Sequence, residues 1–529
     1  MKRKSNVLII LILLLAMLPF RMCYLCLHPE SLPEISNSTQ NIILSELRGE
    51  IYDCNMEKLV NREAENIIIA RPEKESAEIL KDYLDKEQYN RLLGCINSSV
   101  PFICEEEVEE DRFLSETIYK RYGDDGFCCH VLGYINSVDN LGVSGIEKGF
   151  NTLLTEEDRV MYYTYNTTAH NKMLAGGKNE IVSENYYSQK GVSLTIDYDI
   201  QRIVENAMWL YDINKGAVVV LDSDSGEIRA MASRPCFNQN NVQASLDDEN
   251  SPFLNRAVSA YSVGSVFKLV VAAAAVKEGK DDFTSFCDGS LTISEKTFAC
   301  SDHAAHGAVN LEKAMAYSCN TYFIRLALET GAENIIRTAR NMGFGKAFEL
   351  SEGIYCMSGN LPQKEEITTD GDIANLSFGQ GGLLATPLQI ASAYACVAGT
   401  GTYVQPKLVK NIISSDGEKE EFLQTEYRYR AFSAEETSKL KKLLENNFNE
   451  GTCVDAKPQN CVSGGKTSTA QTGWLDEDGN EILHSWFAGY VETGNKSYTI
   501  VVFKENGQSG GKDCGPVFKE IAERIANNH

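Results

Sequence analysis

Three short motifs carry side chains that could perform nucleophilic chemistry. Ser265-Val266-Phe267-Lys268 opens an apolar stretch directly after Gly264. Residues three apart on a helix share a face, so Lys268 is expected to reach the Ser265 hydroxyl. Serine is a weak nucleophile until a base takes its proton, and a neutral lysine can be that base. A helix N-terminus adds unpaired N–H groups that favour developing negative charge. Taken alone, the motif is equally a capped helix with a surface lysine. Ser318-Cys319-Asn320 follows 53 residues later, inside the apolar stretch Ala314 to Leu328. A Ser and an Asn there are costly unless their polar atoms are satisfied. They mark either a break between two helices or a proton-relaying hydroxyl beside an amide that holds a peptide bond. Lys466-Thr467-Ser468-Thr469 comes after Gly464-Gly465. Lys466 would bring positive charge toward Ser265 and a substrate carboxylate, while Thr467 and Thr469 would donate hydrogen bonds. The plain alternative is a polar strand end after a glycine turn.

Each motif is ambiguous alone. Their order, spacing and placement on suitable elements favour one site built from all three. The surrounding pattern indicates how they are positioned. Gly191 to Asp197 alternates like a strand, and Asp199 to Leu210 puts Ile200, Ile203, Val204, Ala207 and Met208 on one helical face. Ala217–Leu221 and Glu227–Ala232 flank the turn sequence Asp222-Ser223-Asp224-Ser225-Gly226 and read as a hairpin. A helix is expected from about Gly264 through Lys277, a late strand pair at Trp486–Val491 and Tyr498–Phe503, and a closing helix over Val517–Ala526. Strands at both ends with helices between them imply an α+β fold, an antiparallel sheet covered by helices. Residues 28 to 190 are more polar, and Ile79 to Leu93 there reads as one helix.

The chain has 529 residues, enough for two or three domains, and 43% hydrophobic residues, enough for a sizeable core. A net charge of −24 argues against nucleic acid, whose phosphates need a basic surface. Lys2, Arg3 and Lys4 precede the apolar run Val7 to Leu27, which is 21 residues long and interrupted only near its end by Arg21. About 20 apolar residues span a bilayer as a helix. The basic cluster should stay inside, which places everything after Leu27 outside the cell membrane. A single-pass anchor is favoured over a cleaved signal peptide, because no small-residue cleavage site follows the run. The sixteen cysteines show no framework spacing. Cys287 with Cys300, and Cys453 with Cys461, are plausible pairs. Cys300, His303 and His306 are loosely spaced for zinc and show no obvious fourth ligand, so no metal is expected.

With these motifs in place, the chain resembles a class B penicillin-binding protein. The serine–lysine, serine–asparagine and lysine–threonine motifs are shared with penicillin-binding proteins and class A β-lactamases. Leu47-Arg48-Gly49-Glu50-Ile51-Tyr52-Asp53 and Gly142-Val143-Ser144-Gly145-Ile146-Glu147 resemble motifs of that class's N-terminal pedestal. Leu194-Thr195-Ile196-Asp197, Gln201, Asn255-Arg256-Ala257, His306-Gly307, Phe378-Gly379-Gln380-Gly381, Thr386-Pro387-Leu388-Gln389 and His484-Ser485-Trp486-Phe487-Ala488-Gly489-Tyr490 resemble its transpeptidase region. Departures are Val263-Gly264 where Pro-Gly is usual before the nucleophile, Ser468 where Gly is usual, and Cys54-Asn55-Met56 at the pedestal turn.

The resemblance implies a penicillin-binding transpeptidase fold with a cytoplasmic tail (1–6), a transmembrane anchor (7–27), a pedestal (28–190) and a transpeptidase domain (191–529). It implies that Ser265 attacks the penultimate carbonyl of a peptidoglycan stem ending in D-Ala-D-Ala, with Lys268 as base. Ser318, helped by Lys466, would protonate the leaving D-Ala, and Asn320 would orient the stem. Thr467, Ser468 and Thr469 would line the substrate, and the backbone N–H groups of Ser265 and Thr469 would form the oxyanion hole. β-Lactams would stall the acyl-enzyme, no metal or organic cofactor is required, and a membrane glycan polymerase is an expected partner. Arg48 and Glu147 are expected to form a surface pair that orients the pedestal. Two alternatives stay open. A hydrolase on the same scaffold would pass the acyl group to water, and a non-catalytic wall-assembly scaffold would tolerate Ser468. A β-lactam sensor would need a cytoplasmic region longer than about six residues, and no paired-glutamate glycosyltransferase motif stands in residues 28 to 190.

Overall fold

The structure, a computed structural model, describes residues 15–24 and 38–528 apart from 107, 109, 111, 137, 175, 294 and 423–426. Residues 15–24 are helical. No helix among the described residues is long and apolar enough to cross a membrane. The expected span 7–27 lies partly outside them, at 7–14 and 25–27.

The chain divides into two compact units. The first takes the described residues of Met1–Glu46 together with Glu65–Ile118 and Val160–Tyr186. It contains a three-stranded sheet ordered Ser38–Leu47, Arg159–Thr167, Asn179–Glu184, and a second ordered Phe102–Cys104, Glu63–Ala70, Leu114–Lys120. The single helix expected over Ile79–Leu93 is instead two, Lys74–Leu80 and Lys86–Ser98. Asp85 restarts the helix. Its side chain accepts from the Gln88 N–H at 2.7 Å, and the Gln88 side chain accepts from the Asp85 N–H at 3.0 Å. This reciprocal cap satisfies two donors that a helix start leaves open. Leu80, Leu92 and Phe102 close the small core between these helices and the sheet.

The second unit takes Leu47–Ala64, Tyr119–Arg159 and Tyr187–His529. Both pedestal-like motifs fall within it. Arg48 and Glu147 do pair, Nε to Oε2 at 2.9 Å, but they are not on the surface: their side chains are 2% and 0% exposed. Glu147 also accepts from Arg121 Nε at 2.7 Å and from the Tyr122 hydroxyl at 2.9 Å. A buried carboxylate needs such partners, because a lone charge away from water is very costly.

Helix α1 (Tyr198–Leu210) starts at Asp197, whose side chain accepts from the N–H groups of Asp199 and Ile200. Strands β1 (Gly216–Asp222) and β2 (Ile228–Arg234) form the expected hairpin. Helices α2 (Lys268–Lys277), α3 (Asn320–Thr330) and α4 (Pro387–Ala398) follow. Strands β3 (Val462–Leu475), β4 (Glu481–Thr493) and β5 (Lys496–Lys504) and helix α5 (Gly515–Asn528) close the chain. The strands form one sheet ordered β2-β1-β5-β4-β3, antiparallel throughout.

Both faces of this sheet are covered. Side chains alternate along a strand: Ala217, Val219 and Leu221 of β1 join one core with α2 and α4, and Val218 and Val220 join another with α1 and α5. The expected antiparallel sheet flanked by helices is therefore present. Helix α2 is buried all round from Lys268 to Val276, as an apolar helix in the centre of a large domain must be. A lysine at its first position is the one charged side chain in that stretch, and it faces the site.

Candidate active site

The nucleophile candidate sits on a short 3-10 turn, Gly264–Phe267, that leads into α2. Ser265 is half-buried, whereas Lys268 is fully buried. Ser318 adopts a left-handed backbone at φ 55° between the helix Leu311–Ala316 and α3. The break between two helices and the functional turn are thus one and the same feature. Lys268 Nζ donates to the Ser318 carbonyl at 2.7 Å, to Ser318 Oγ at 3.0 Å and to Asn320 Oδ1 at 2.6 Å. Ser318 Oγ in turn lies 3.2 Å from Ser265 Oγ, as its hydrogen-bond donor. Among the described hydrogen bonds the expected direct Lys268–Ser265 contact is missing; the connection runs through Ser318. The amine at the base of a packed helix is captured by the polar atoms of the left-handed turn, which face it from the α3 side.

Lys466 is fully buried on β3 and donates to the Thr467 carbonyl at 3.0 Å. Thr467 Oγ1 donates to Thr452 Oγ1 at 2.9 Å, and Thr469, exposed, accepts from the Gly510 N–H at 3.2 Å. Two buried lysines therefore share the site. Burial pushes the Lys268 amine well below a lysine's ordinary value, and the nearby positive charge of Lys466 pushes it further. Burial lowers Lys466 to about 8. Both effects favour the neutral, proton-accepting form of Lys268, whereas Lys466 at about 8 stays mostly charged at neutral pH and can attract a carboxylate. An open cleft of about 860 Å³ is lined by Asn320 together with Thr297, Phe298, Gln471 and Thr472. A serine joined through a second hydroxyl to a buried amine of depressed basicity, with a buried lysine nearby and an open cleft past Asn320, can perform acyl transfer.

A family model described as the penicillin binding protein transpeptidase domain matches residues 216–523, more than half of the chain. The chain belongs to this family. Peptidoglycan D,D-transpeptidase MrdA of Acinetobacter baumannii is 26% identical over 450 residues, 75% of this chain and 64% of that protein. The chain thus spans just under two thirds of that relative. Stage V sporulation protein D of Bacillus subtilis is 26% identical over 530 residues, 91% of this chain and 78% of its own length. Among solved structures, a peptidoglycan synthase complex described as coordinating polymerization and crosslinking contains a chain that is 25% identical with a TM-score of 0.67. The match covers 98% of this chain and 97% of that one. The resemblance to class B penicillin-binding proteins is borne out.

The two departures of this penicillin-binding transpeptidase domain from its family's motifs meet in space. Ser468 Oγ donates to the Val263 carbonyl at 2.9 Å. Gly264 has φ +62°, and a Cβ on it would lie 2.4 Å from Ser468 Oγ. A glycine there leaves room for the serine. Two contacts that the motifs did not reveal also hold the Ser265 turn. Trp486 Nε1 donates to the Ser262 carbonyl at 2.9 Å, and the Gly264 N–H donates to the Gly379 carbonyl at 3.0 Å. Their sequence signal was the clustering of Gly379 and Trp486 in family-like segments.

The cysteines among the described residues are free thiols. Cys287 and Cys300 lie near each other, with sulfurs 3.8 Å apart. A fourth potential metal ligand does exist: Cys287, Cys300, His306 and Cys319 converge with their donor atoms all within 4.8 Å of one another. His303, exposed and at φ +53°, is not among them.

Proposed function

We propose that this chain is a serine-type peptidoglycan D,D-transpeptidase that also binds penicillin covalently. The observation that carries the reading is the chain of contacts Ser265–Ser318–Lys268, with the Lys268 amine made less basic by burial and by the charge of Lys466. The relatives named peptidoglycan D,D-transpeptidases support the substrate class.

Ser265 Oγ attacks the penultimate D-Ala carbonyl of the donor stem. Its proton passes through Ser318 Oγ to Lys268 Nζ. The oxyanion is held by the backbone N–H groups of Ser265 and Thr469, which lie on two segments tied by the Ser468–Val263 hydrogen bond. Such donors typically contribute about 3 kcal/mol each. The proton returns through Ser318, with Lys466 charged nearby, to the departing D-Ala amine. Thr467, Ser468 and Thr469 line the carboxylate side, and Asn320 orients the stem peptide. An amine from a neighbouring stem then attacks the ester carbonyl, forms the cross-link and returns the proton to Ser265. The residues that do this need no metal or organic cofactor for the bond changes themselves.

In the same reading residues 7–27 form a membrane anchor after a short cytoplasmic tail, residues 28–190 serve as a pedestal, and 191–529 carry out catalysis outside the cell membrane. Leu15, Met17, Leu18, Phe20 and Met22 are exposed on the described part of the N-terminal helix, apolar surface that lipid would cover. The anchor and pedestal would dock a membrane glycan polymerase; replacing residues 7–27 by an unrelated span should abolish its co-purification.

The deciding experiment labels the purified chain with a fluorescent penicillin beside Ser265→Ala. A stable band that the substitution removes supports the transpeptidase. A band that fades within the time of the assay points to the hydrolase alternative, and label retained by Ser265→Ala removes the nucleophile assignment.

A further inference from the structure

We propose that Lys296 and Glu481 form a charge-reading subsite: it selects donor stems in which the residue before D-Ala-D-Ala ends in both an ammonium and a carboxylate. This deepens the function proposed above and rests on it. Both residues line the cleft of about 860 Å³ that Asn320 borders. They come from two hairpins. Glu481 opens β4 and pairs with Leu475 at the end of β3. Lys296 opens the strand Lys296–Ala299, which pairs with Ser290–Ile293.

Strand geometry sets which part of the stem they meet. Thr469 and Gln471 are exposed on β3 with Ala470 buried between them, so they share one face. From Ser463 to Thr467 and on to Ser468 the strand is buried, whereas Gln471, Thr472 and Gly473 line the cleft. A stem held by its terminal carboxylate at Thr467 and Thr469 therefore runs toward Gln471. Gln471 stands two residues beyond Thr469, about 7 Å along the strand. The residue before D-Ala-D-Ala lies two residues from the stem's end, also about 7 Å when extended. That residue carries the stem's side-chain amine, and it is level with Gln471. Gln471 Nε2 donates to Glu481 Oε2 at 2.5 Å, which holds the carboxylate in place. Among the described hydrogen bonds none occupies Glu481 Oε1.

Lys296 approaches from the other hairpin. The Ala299 carbonyl accepts from Asn320 Nδ2 at 2.8 Å, which ties this strand to the amide that orients the stem. Lys296 is three residues from Ala299, about 10 Å along the strand. Its Nζ stands 5.1 Å from the centre of the Phe298 ring, and Phe298 also lines the cleft. The Lys296 amine has no described hydrogen bond or ion pair. Among the described residues Lys296 and Glu481 are the only charged side chains lining this cleft; Asn320, Asn360, Asn375, Gln380 and Gln471 supply amides. Amides both donate and accept, which suits a peptide backbone. The two charges suit the side chain. An ammonium alone is attracted by Glu481 and repelled by Lys296, whereas a carboxylate beside it gives Lys296 a counter-charge. Both residues are exposed, so each charge sets a several-fold preference rather than an absolute one.

The test measures fluorescence anisotropy of dye-tagged stem pentapeptides on the full chain carrying Ser265→Ala, purified in detergent so that no peptide is turned over. Three peptides ending in D-Ala-D-Ala differ only in the side chain before it: ammonium with carboxylate, the same with the carboxylate amidated, and the same with the ammonium acetylated. The unmodified peptide should bind roughly three- to fivefold tighter than either modified one, the scale of a partly exposed ion pair. Lys296→Gln should cancel the loss caused by amidation and keep the loss caused by acetylation; Glu481→Gln should do the reverse. A merely structural role would not give this crossed pattern. Equal binding of the three peptides, binding of none, or a preference that survives its assigned substitution would overturn the proposal. Fluorescent penicillin labelling of the parent chain tests the serine separately. The crossed pattern without labelling would remove the nucleophile assignment and keep the subsite, and stable labelling with equal peptide binding would do the opposite.

Discussion

The Ser468 hydroxyl donates a 2.9 Å hydrogen bond to the carbonyl of Val263, two residues before Ser265. Gly264 between them has φ +62° and no space for a Cβ, which would stand 2.4 Å from that hydroxyl. The strand β3 is thus fastened to the turn that carries Ser265 by the residue that departs from the family motif. Gly264→Ala should cost about 1–3 kcal/mol from the strained φ alone and should cut penicillin labelling at least tenfold. Ser468→Gly should lose about 1 kcal/mol with its hydrogen bond. Combined with Gly264→Ala it should recover part of the labelling, because the obstacle is gone. Chemical denaturation and labelling rates read both effects; a Gly264→Ala protein as stable and as fast as the parent would contradict the close approach.

Ser318 is the only described link between Ser265 and Lys268. Ser318→Ala should therefore slow acylation by roughly 10²–10⁴-fold, the usual range for losing a positioned proton-transfer group. Stopped-flow acylation with a chromogenic cephalosporin would measure it. A loss below threefold would mean that Lys268 reaches Ser265 without the relay.

The two buried lysines set the pH profile. Lys268 must be neutral to accept a proton, so acylation should rise as pH climbs through its depressed value. Lys466 must be charged to attract the carboxylate, so acylation should fall as pH passes about 8. Lys466→Met removes a positive charge that depresses Lys268. Its acid limb should therefore move to higher pH and its alkaline fall should vanish, with a lower rate throughout. Acylation rates measured from mildly acidic to alkaline pH check both limbs. An alkaline fall that persists in Lys466→Met would assign that limb to another group.

The pedestal-side network makes a stability prediction separate from catalysis. Glu147 is fully buried with Arg48, Arg121 and Tyr122 on its oxygens. Glu147→Gln leaves two guanidinium groups without their counter-charge, and breaking a buried pair costs roughly 3–5 kcal/mol. The unfolding midpoint should drop accordingly. At temperatures below the new transition, labelling at Ser265 should persist, since the described hydrogen bonds of the Glu147 carboxylate run to Arg48, Arg121 and Tyr122 and not to the site residues.

Much of this molecule was legible in local spacing. Serine and lysine three apart, the Asp222–Gly226 turn between two β-runs and the one-faced apolar pattern after Asp197 each specify their element through near-neighbour geometry. The misread helix over Ile79–Leu93 shows the limit, because apolar periodicity continues through a segment where the reciprocal Asp85–Gln88 cap restarts the helix. Arg48 and Glu147 could be paired from motif likeness, but their burial depends on Arg121 and Tyr122, residues brought in from elsewhere in the chain.

The sequence by itself determined the serine, the two lysines, the Ser-Cys-Asn turn and the sheet that carries them, since each rests on contacts within a few residues or on strand alternation. Only the tertiary structure decided that Lys268 meets Ser265 through Ser318 and that Ser468 fills the space left by Gly264. It also decided that Cys287 and Cys319, rather than His303, join Cys300 and His306. Those outcomes depend on distances between residues far apart in the chain, which the packing of helices against the sheet sets and local spacing does not encode.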